Sequence, residues 1–335
     1  MTTISQVAKR AGVSKATVSR VLSGKGYVGQ EKRERVLLAI AETGYRPNLL
    51  ARNLANKSTQ TIGLVVTNTL YSGNIFSELM SHSARIMEQQ NRQLILADGK
   101  HTAEQERAAI QFLLDLRCDG VIIYPRFLSI DELDAIISQH KQPVLVINRR
   151  LRINDSFCIY SDQQATSQRA VSYLIEQGHR NIAFITGSLD SPTSQERLAG
   201  YKTALHTQGI AVNQQLIVQG KWTAQSGMLA VKTLLASGQP FSAIVASNDE
   251  MAIGAIKQLT ENNIAVPGTV SVIGFDDIPL APYITPALSS VKFPVTDMIN
   301  DTINRLVFML DGGELTPFTP YQGSLVVRDS ITGIT

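Results

Sequence analysis

The sequence predicts an α/β protein with a three-helix head, a hinge helix, and a core of open parallel sheets. Three observations carry this. Residues 4–23, ISQVAKRAGVSKATVSRVLS, hold two short amphipathic patterns separated by Gly12. From Thr61 onward, β-rich runs alternate with helical patterns, the signature of βαβ units. The charge is also split: residues 1–60 carry eleven Lys and Arg against three acids, a surplus of +8, whereas the remainder carries −5 within a net +3.

In the head, Ile4, Val7, Ala8 and Ala11 recur at i, i+3, i+4 and i+7 and share one helix face. Gly12 breaks that helix. Ser14 is a good N-cap for a second, whose Val18, Val21 and Leu22 pack back on the first. Lys15, Ala16, Ser19 and Arg20 then point outward. Two short helices joined by a tight turn, with a cationic free face on the second, match the helix-turn-helix that enters a DNA major groove. The alternative is an amphipathic hairpin with a solvated basic face. The charge asymmetry favours a polyanion partner, because neutralising phosphates supplies most sequence-independent DNA affinity. A third helix is expected over 31–43, with Val36, Leu37 and Ile40 completing the small core and Gly44 ending it. The loop GKGYVG (24–29) formally fits a dinucleotide fingerprint but follows a helix instead of a strand, so its context fails.

In residues 46–60, RPNLLARNLANKSTQ, Pro47 stops the preceding segment and Asn48 can cap a helix through Leu49, Leu50, Ala51 and Leu54. So short a helix is below the ~12–15 residues that hold together alone in water. It is therefore expected to order only against a partner, with leucine as an apolar wedge for a minor groove. A plain interdomain linker is the alternative.

Seven near-continuously apolar runs follow: TIGLVVT, RQLILA, DGVIIYP, QPVLVIN, RNIAFITG, FSAIVAS and VSVIGF. Strands buried on both faces read this way. Helices are expected between them, among others Ile75 to Glu88, Ala103 to Leu116, Ser194 to His206 and Met251 to Glu261.

Hydrophobic content of 44% and charged content of 18% suit an ordinary globular chain. No apolar run approaches the ~18 residues of a membrane span, and MTTISQVAKR lacks a signal-peptide core, so a cytoplasmic location and no membrane partner are expected. Cys118 and Cys158 lack metal spacing and read as buried free thiols. The sequence has no P-loop, no G-x-S-x-G and no clustered histidines. It calls for no cofactor, no metal and no catalytic residue.

Open parallel sheets bind ligands at the carboxyl ends of their strands. Those ends carry Thr67 and Asn68, Asn148 to Arg150, Ser247 to Asp249, and Asp276 with Asp277. Arg197 follows the turn at 187–192, and Trp222 is the only tryptophan. Amides, a carboxylate, a guanidinium and an indole suit a neutral polyhydroxylated ligand: planar groups take vicinal hydroxyls and the ring stacks on C–H faces. The competing reading makes several of these residues helix caps. Asp276 and Asp277 do not form a glycosidase pair, since neighbours on an extended stretch point oppositely.

VAKRAGVSKATVSRVLSG, GYRPNLLARNLA, RLAGY (197–201), ASNDEMAIGA (246–255) and VSVIGFDD (270–277) resemble, in order, the signatures of the LacI/GalR family of bacterial transcriptional repressors. That resemblance implies a homodimer on palindromic double-stranded operator DNA. Lys15, Ala16 and Arg20 would read bases, Ser14, Thr17 and Ser19 would contact phosphates, Asn48 would begin the hinge helix, and Leu54 would be its lever. Lys and Arg match guanine acceptors, so guanine is expected in the half-site. It also implies a periplasmic-binding-protein-like core of two doubly wound subdomains. The expected boundaries are 1–46 for the head, 47–60 for the hinge and 61–335 for the core. Within the core, about 61–160 with 291–321 forms one subdomain and about 162–289 with 322–335 the other, with crossovers near Ser161, Ser290 and Gln322. Effector positions carry over as Asn68, Phe76, Asn148, Arg197, Trp222, Asn248 and Asp276. Asn148 departs from the aspartate common there, which leaves the sugar's identity open between a β-glucoside, a phosphorylated sugar and a purine, and a co-repressor role remains open as well. A transport component of similar fold would carry a signal sequence and no basic head. No leucine heptad follows Val327, which favours a dimer over a larger assembly.

Overall fold

The computed structural model describes residues 2–23, 26–45, 59–70 and 73–334. The chain divides into two compact units, residues 1–60 and 61–335. Asn48 and Leu54 lie outside the described residues.

The first unit holds α1 (Ile4–Ala11), α2 (Lys15–Ser23) and α3 (Gln30–Thr43). Thr3 and Gln6 close a capping box on α1, and Gly12 ends it at φ +63, a left-handed turn that glycine adopts without a Cβ clash. Val7, Ala8, Ala11, Val18, Val36 and Ala39 form its buried centre. Leu37 departs from expectation: it is 51% exposed, and Ala39 takes its place. Three residues on from Val36 returns to the same helix face, whereas one residue on turns away by about 100°.

The second unit contains β1 (Thr61–Val66), α4 (Asn74–Gln89), β2 (Gln93–Asp98), α5 (Ala103–Asp115), β3 (Gly120–Tyr124), α6 (Ile130–Gln139), β4 (Val144–Ile147) and β5 (Cys158–Ile159). It continues with α7 (Gln163–Glu176), β6 (Ile182–Thr186), α8 (Pro192–Thr207), β7 (Ile217–Gln219), α9 (Ala224–Ala236), β8 (Ala243–Ala246) and α10 (Asp249–Glu261). β9 (Ser271–Phe275), β10 (Ser289–Lys292), α11 (Val295–Leu310) and β11 (Ser324–Val326) complete it. Two sheets result, ordered β2-β1-β3-β4-β5 and β11-β10-β9-β8-β6-β7. Every pairing is parallel except β10 with β11 at one edge.

Alternation along β1 shows how each sheet buries both faces. Ile62, Leu64 and Val66 join the apolar layer that α11 covers through Met298, Ile299, Ile303 and Leu306, while Val65 joins the opposite layer with Ile110 and Leu113 of α5. The chain thus runs through the first sheet, enters the second at Ser161, and returns after Lys292 to lay α11 on the first. Ser290 lies within β10, where it pairs with Gly274 and Val326, just before this return. Ser161 forms an isolated bridge with Tyr321, where the chain crosses for the third time.

The expected runs all appear as strands. β5, β7, β10 and β11 were not legible: they are two to four residues long and lack the continuous apolar run that announces the equally short β4 and β8. Cys118 and Cys158 are buried free thiols.

Candidate functional site

On the head, Ser14 caps α2: the Thr17 amide donates to its Oγ at 3.1 Å, and the two hydroxyls lie 3.0 Å apart. Lys15, Ala16, Ser19 and Arg20 are exposed, Thr17 is half-buried, and Val18 is fully buried between them. Arg10 of α1 reaches Glu42 of α3 at 2.7 Å, but both side chains are largely solvated and such a pair adds little stability. Apolar packing therefore holds α2 in place and leaves its cationic, acid-free face presented outward.

In the core, a cavity of about 380 Å³ opens between the two sheets at the carboxyl ends of β1, β3, β4, β6, β8 and β9. Asn148, Arg197, Trp222, Asn248 and Asp276 all line it. Asn68 and Phe76 do not. Asn68 Nδ2 instead meets His101 Nε2 at 3.2 Å, and Phe76 packs into the apolar layer on the first sheet. The one-residue turn of α4 puts Ile75 at the cavity and takes Phe76 away from it.

Arg197 is the structural centre, only 3% exposed. Its Nε donates to Gln163 Oε1 at 2.8 Å, Nη1 to the Ser247 carbonyl, and Nη2 to Asp276 Oδ1 at 3.1 Å. The guanidinium carbon stands 4.5 Å from the Phe275 ring centroid and 5.1 Å from that of Phe293, a cation held against aromatic faces. Its charge is thus matched, and Asp276 keeps one oxygen for a ligand hydroxyl. Asp277 pairs with Arg328 at 2.7 Å, but the backbone here is not the extended stretch expected: Asp276 and Asp277 have φ of 98 and 47.

Asn248 is both a cap and a site residue. Its Oδ1 accepts from the Met251 amide at 3.0 Å, and its Nδ2 donates to the Trp222 carbonyl at 2.9 Å. The cap starts α10 at Asp249, two residues before the expected Met251. One amide proton remains for a ligand. Asn148 donates through Nδ2 to the Tyr124 hydroxyl, which leaves its own Oδ1 as an acceptor. Burial, with a push from the Asp276 charge, raises the Tyr124 phenol to about 12, so it stays a protonated donor.

Three of the cavity residues share an unusual backbone conformation, which several residues elsewhere in the chain also adopt. Asn148 (φ 63), Trp222 (φ 65) and Asp276 (φ 98) are left-handed without being glycine. For a residue as bulky as tryptophan this conformation is strained, and it persists only where the surroundings fix it. Neighbours supply that hold: the Asn148 amide donates to the Ile159 carbonyl at 2.7 Å and the Asp276 amide to that of Val291 at 2.8 Å.

Tyr124, Ile75, Ser191, Thr193 and Lys221 also line the cavity and were not among the expected site residues. Tyr124 ends a predicted strand, and the strand-end rule applied one residue more generously would have included it.

Two family models match: "Bacterial regulatory proteins, lacI family" over residues 3–48 and "Periplasmic binding protein-like domain" over 171–331. The HTH-type transcriptional regulator AscG of Escherichia coli (strain K12) is 64% identical over 331 residues, covering 99% of this chain and 98% of that protein. The chain belongs to the LacI family. It is accordingly a DNA-binding transcriptional repressor whose homologues are regulators and not enzymes. A crystal structure of the lac repressor dimer bound to operator and the anti-inducer ONPF superposes with a TM-score of 0.89 at 27% identity, covering 99% of each chain. A complex of the transcriptional regulator CelR with cellobiose gives 0.72 at 29% identity, over 98% of this chain and 100% of that one. Among the described residues of this LacI-family repressor, no helix is long and apolar enough to cross a membrane.

Proposed function

We propose that this repressor binds its operator as a homodimer in the cytoplasm and releases it in response to a small carbohydrate of the β-glucoside type. The convergence of Asn148, Arg197, Trp222, Asn248 and Asp276 on one cavity between two lobes carries the reading. Donors, acceptors and an indole face are arrayed there as a hydroxylated ring requires. The cavity volume is within the range of small-molecule sites, about 300–1,000 Å³. The cellobiose complex of a structural neighbour supports the same ligand class.

On the head, Lys15, Ala16 and Arg20 read bases and Ser14, Thr17 and Ser19 meet phosphates, with Asn48 and Leu54 in the hinge. Sugar binding draws the lobes together. Only a ligand with different affinities for the free and operator-bound states shifts that equilibrium. A coupling of about 1–3 kcal/mol changes operator affinity by about 5- to 150-fold.

Operator selection from random duplexes, followed by titration of the selected site with a panel of β-glucosides, tests both halves. The expected outcome is a palindrome with guanine in each half-site and a sugar that weakens binding. A sugar that binds equally well to free and operator-bound protein is not the inducer, and a chain with no salt-sensitive DNA affinity is not this repressor.

A further inference from the structure

A charged contact spans the cleft from one lobe of the core to the other. Arg126, in the loop after β3, belongs to the first lobe, and Asp190, in the turn between β6 and α8, belongs to the second. Arg126 Nη2 stands 2.8 Å from Asp190 Oδ1, and its Nη1 donates to the Asp190 carbonyl at 3.1 Å. Other ion pairs of the core, Arg92 with Asp119, Arg197 with Asp276 and Arg328 with Asp277 among them, stay inside a single lobe.

Both sides of this contact are held in place before they meet. Glu106 of α5, fully buried, accepts from the amides of Arg126, Phe127 and Leu128 at 2.8, 3.0 and 2.7 Å. The Arg126 guanidinium also lies 5.2 Å from the centroid of the Phe127 ring. Across the cleft, the Ser191 amide donates to the Ser188 carbonyl at 2.9 Å and Gln195 Nε2 to that of Leu189 at 2.8 Å, which fixes the turn carrying Asp190. The two groups therefore give up little freedom on pairing, the loss that usually cancels the worth of an ion pair at a surface. Arg149, on the same lobe, feels the like charge of Arg126. A carboxylate supplied by the opposite lobe relieves that repulsion.

We infer that Arg126 and Asp190 form a latch that holds the two lobes closed without help from an effector, and so sets how readily the cleft opens. Asp190 is 67% exposed and Arg126 14%, so the latch has the worth of a well-placed surface pair, about 2- to 5-fold in the ratio of closed to open forms. A contact of this size moves the balance in a switch, whose two arrangements must lie close in free energy. The consequence for DNA rests on the reading that closure releases the operator: a latched repressor lets go at a lower effector concentration.

Trp222 makes the latch measurable with neither DNA nor effector. It is the only tryptophan, it lines the cavity, and its indole lies against Gly187 at the start of the Asp190 turn. Acrylamide, a neutral quencher, reaches it as the cleft opens. In the full chain, Asp190→Asn and Arg126→Met should each raise the open fraction read by quenching about 2- to 5-fold. The double variant should do no more than either alone, because both changes remove one shared contact. Exchanging the charges, Arg126→Asp with Asp190→Arg, should bring quenching back toward wild type, which an altered turn or cavity wall would not do. Raising salt from about 0.05 to about 1 M should increase quenching in the wild type and not in Asp190→Asn. Unchanged quenching in Asp190→Asn overturns the latch, as do additive effects in the double variant. With the latch broken, effector-free operator affinity, measured by anisotropy on the selected duplex, should rise by about the same 2- to 5-fold. Increased quenching at unchanged operator affinity supports the latch and overturns instead the reading in which closure releases DNA.

Discussion

Replacing Gly187 with alanine tests how the cavity wall is built. An ideal Cβ there would stand 2.0 Å from Trp222 Cζ2, 2.2 Å from Cε2 and 2.5 Å from Cη2. Carbon atoms pack best at about 3.5–4.0 Å, so the indole must move by roughly 1.5 Å. The backbone at Trp222 cannot absorb the shift easily: it is left-handed already, and its carbonyl is held by Asn248 Nδ2. Overpacking of this kind costs about 1–3 kcal/mol. At about 2–4 °C per kcal/mol for a domain of this class, Tm should fall by roughly 2 to 12 °C. Because Trp222 is the only tryptophan, its fluorescence reports the displacement directly. The emission maximum should move to the red, and effector affinity measured by calorimetry should fall by about 5-fold or more, since the ring leaves the face on which the sugar stacks. An alanine variant with unchanged emission, Tm and effector affinity would refute the packing argument.

Arg197→Met removes a cation with three bonded partners and leaves Asp276 unpaired; breaking a buried pair costs about 3–5 kcal/mol, discounted here for the partial exposure of Asp276. It should abolish effector response in an operator-release assay while uninduced operator binding survives, and retained induction would count against Arg197. Lys15→Ala should relax base preference at one operator position by about 1–3 kcal/mol, read in a selection experiment, and an unchanged profile would reassign that residue. Burial raises the Asp249 carboxyl from 3.8 to about 8, so between those values the folded state holds a proton that the unfolded chain has released. That contribution to stability is present below the lower value and is lost as pH rises through the upper one. Thermal melts should therefore show a lower Tm at about pH 9 than at about pH 6, with Asp249→Asn flattening the difference; a wild-type Tm that rises over this interval would show Asp249 ionised throughout.

The local signals in the sequence were strong where one short segment contains all the information. Gly12, the Ser14 cap and the i, i+3, i+4, i+7 spacing of Ile4, Val7, Ala8 and Ala11 specify the helix-turn-helix within twenty residues, and apolar runs such as DGVIIYP and FSAIVAS specify buried parallel strands. Asn148, Asn248 and Asp276 were legible because a strand end is a sequence position and ligands gather there.

Tertiary structure decided the rest, for reasons that depend on distance along the chain. Leu37 sits two residues from Ala39 and Phe76 one residue from Ile75, the positions that face the right way, and a helix rotates by about 100° per residue, so sequence spacing alone does not choose between neighbours until a packing partner fixes the face. The short strands β10 and β11 exist because each finds the other across some thirty residues, and α11 returns to the first sheet for the same reason. No pattern near Ser191 or Thr193 announces that residues from two lobes meet around one cavity. Amino-acid order determined which elements form; the burial of apolar faces against distant partners determined which side chains were left facing the cleft.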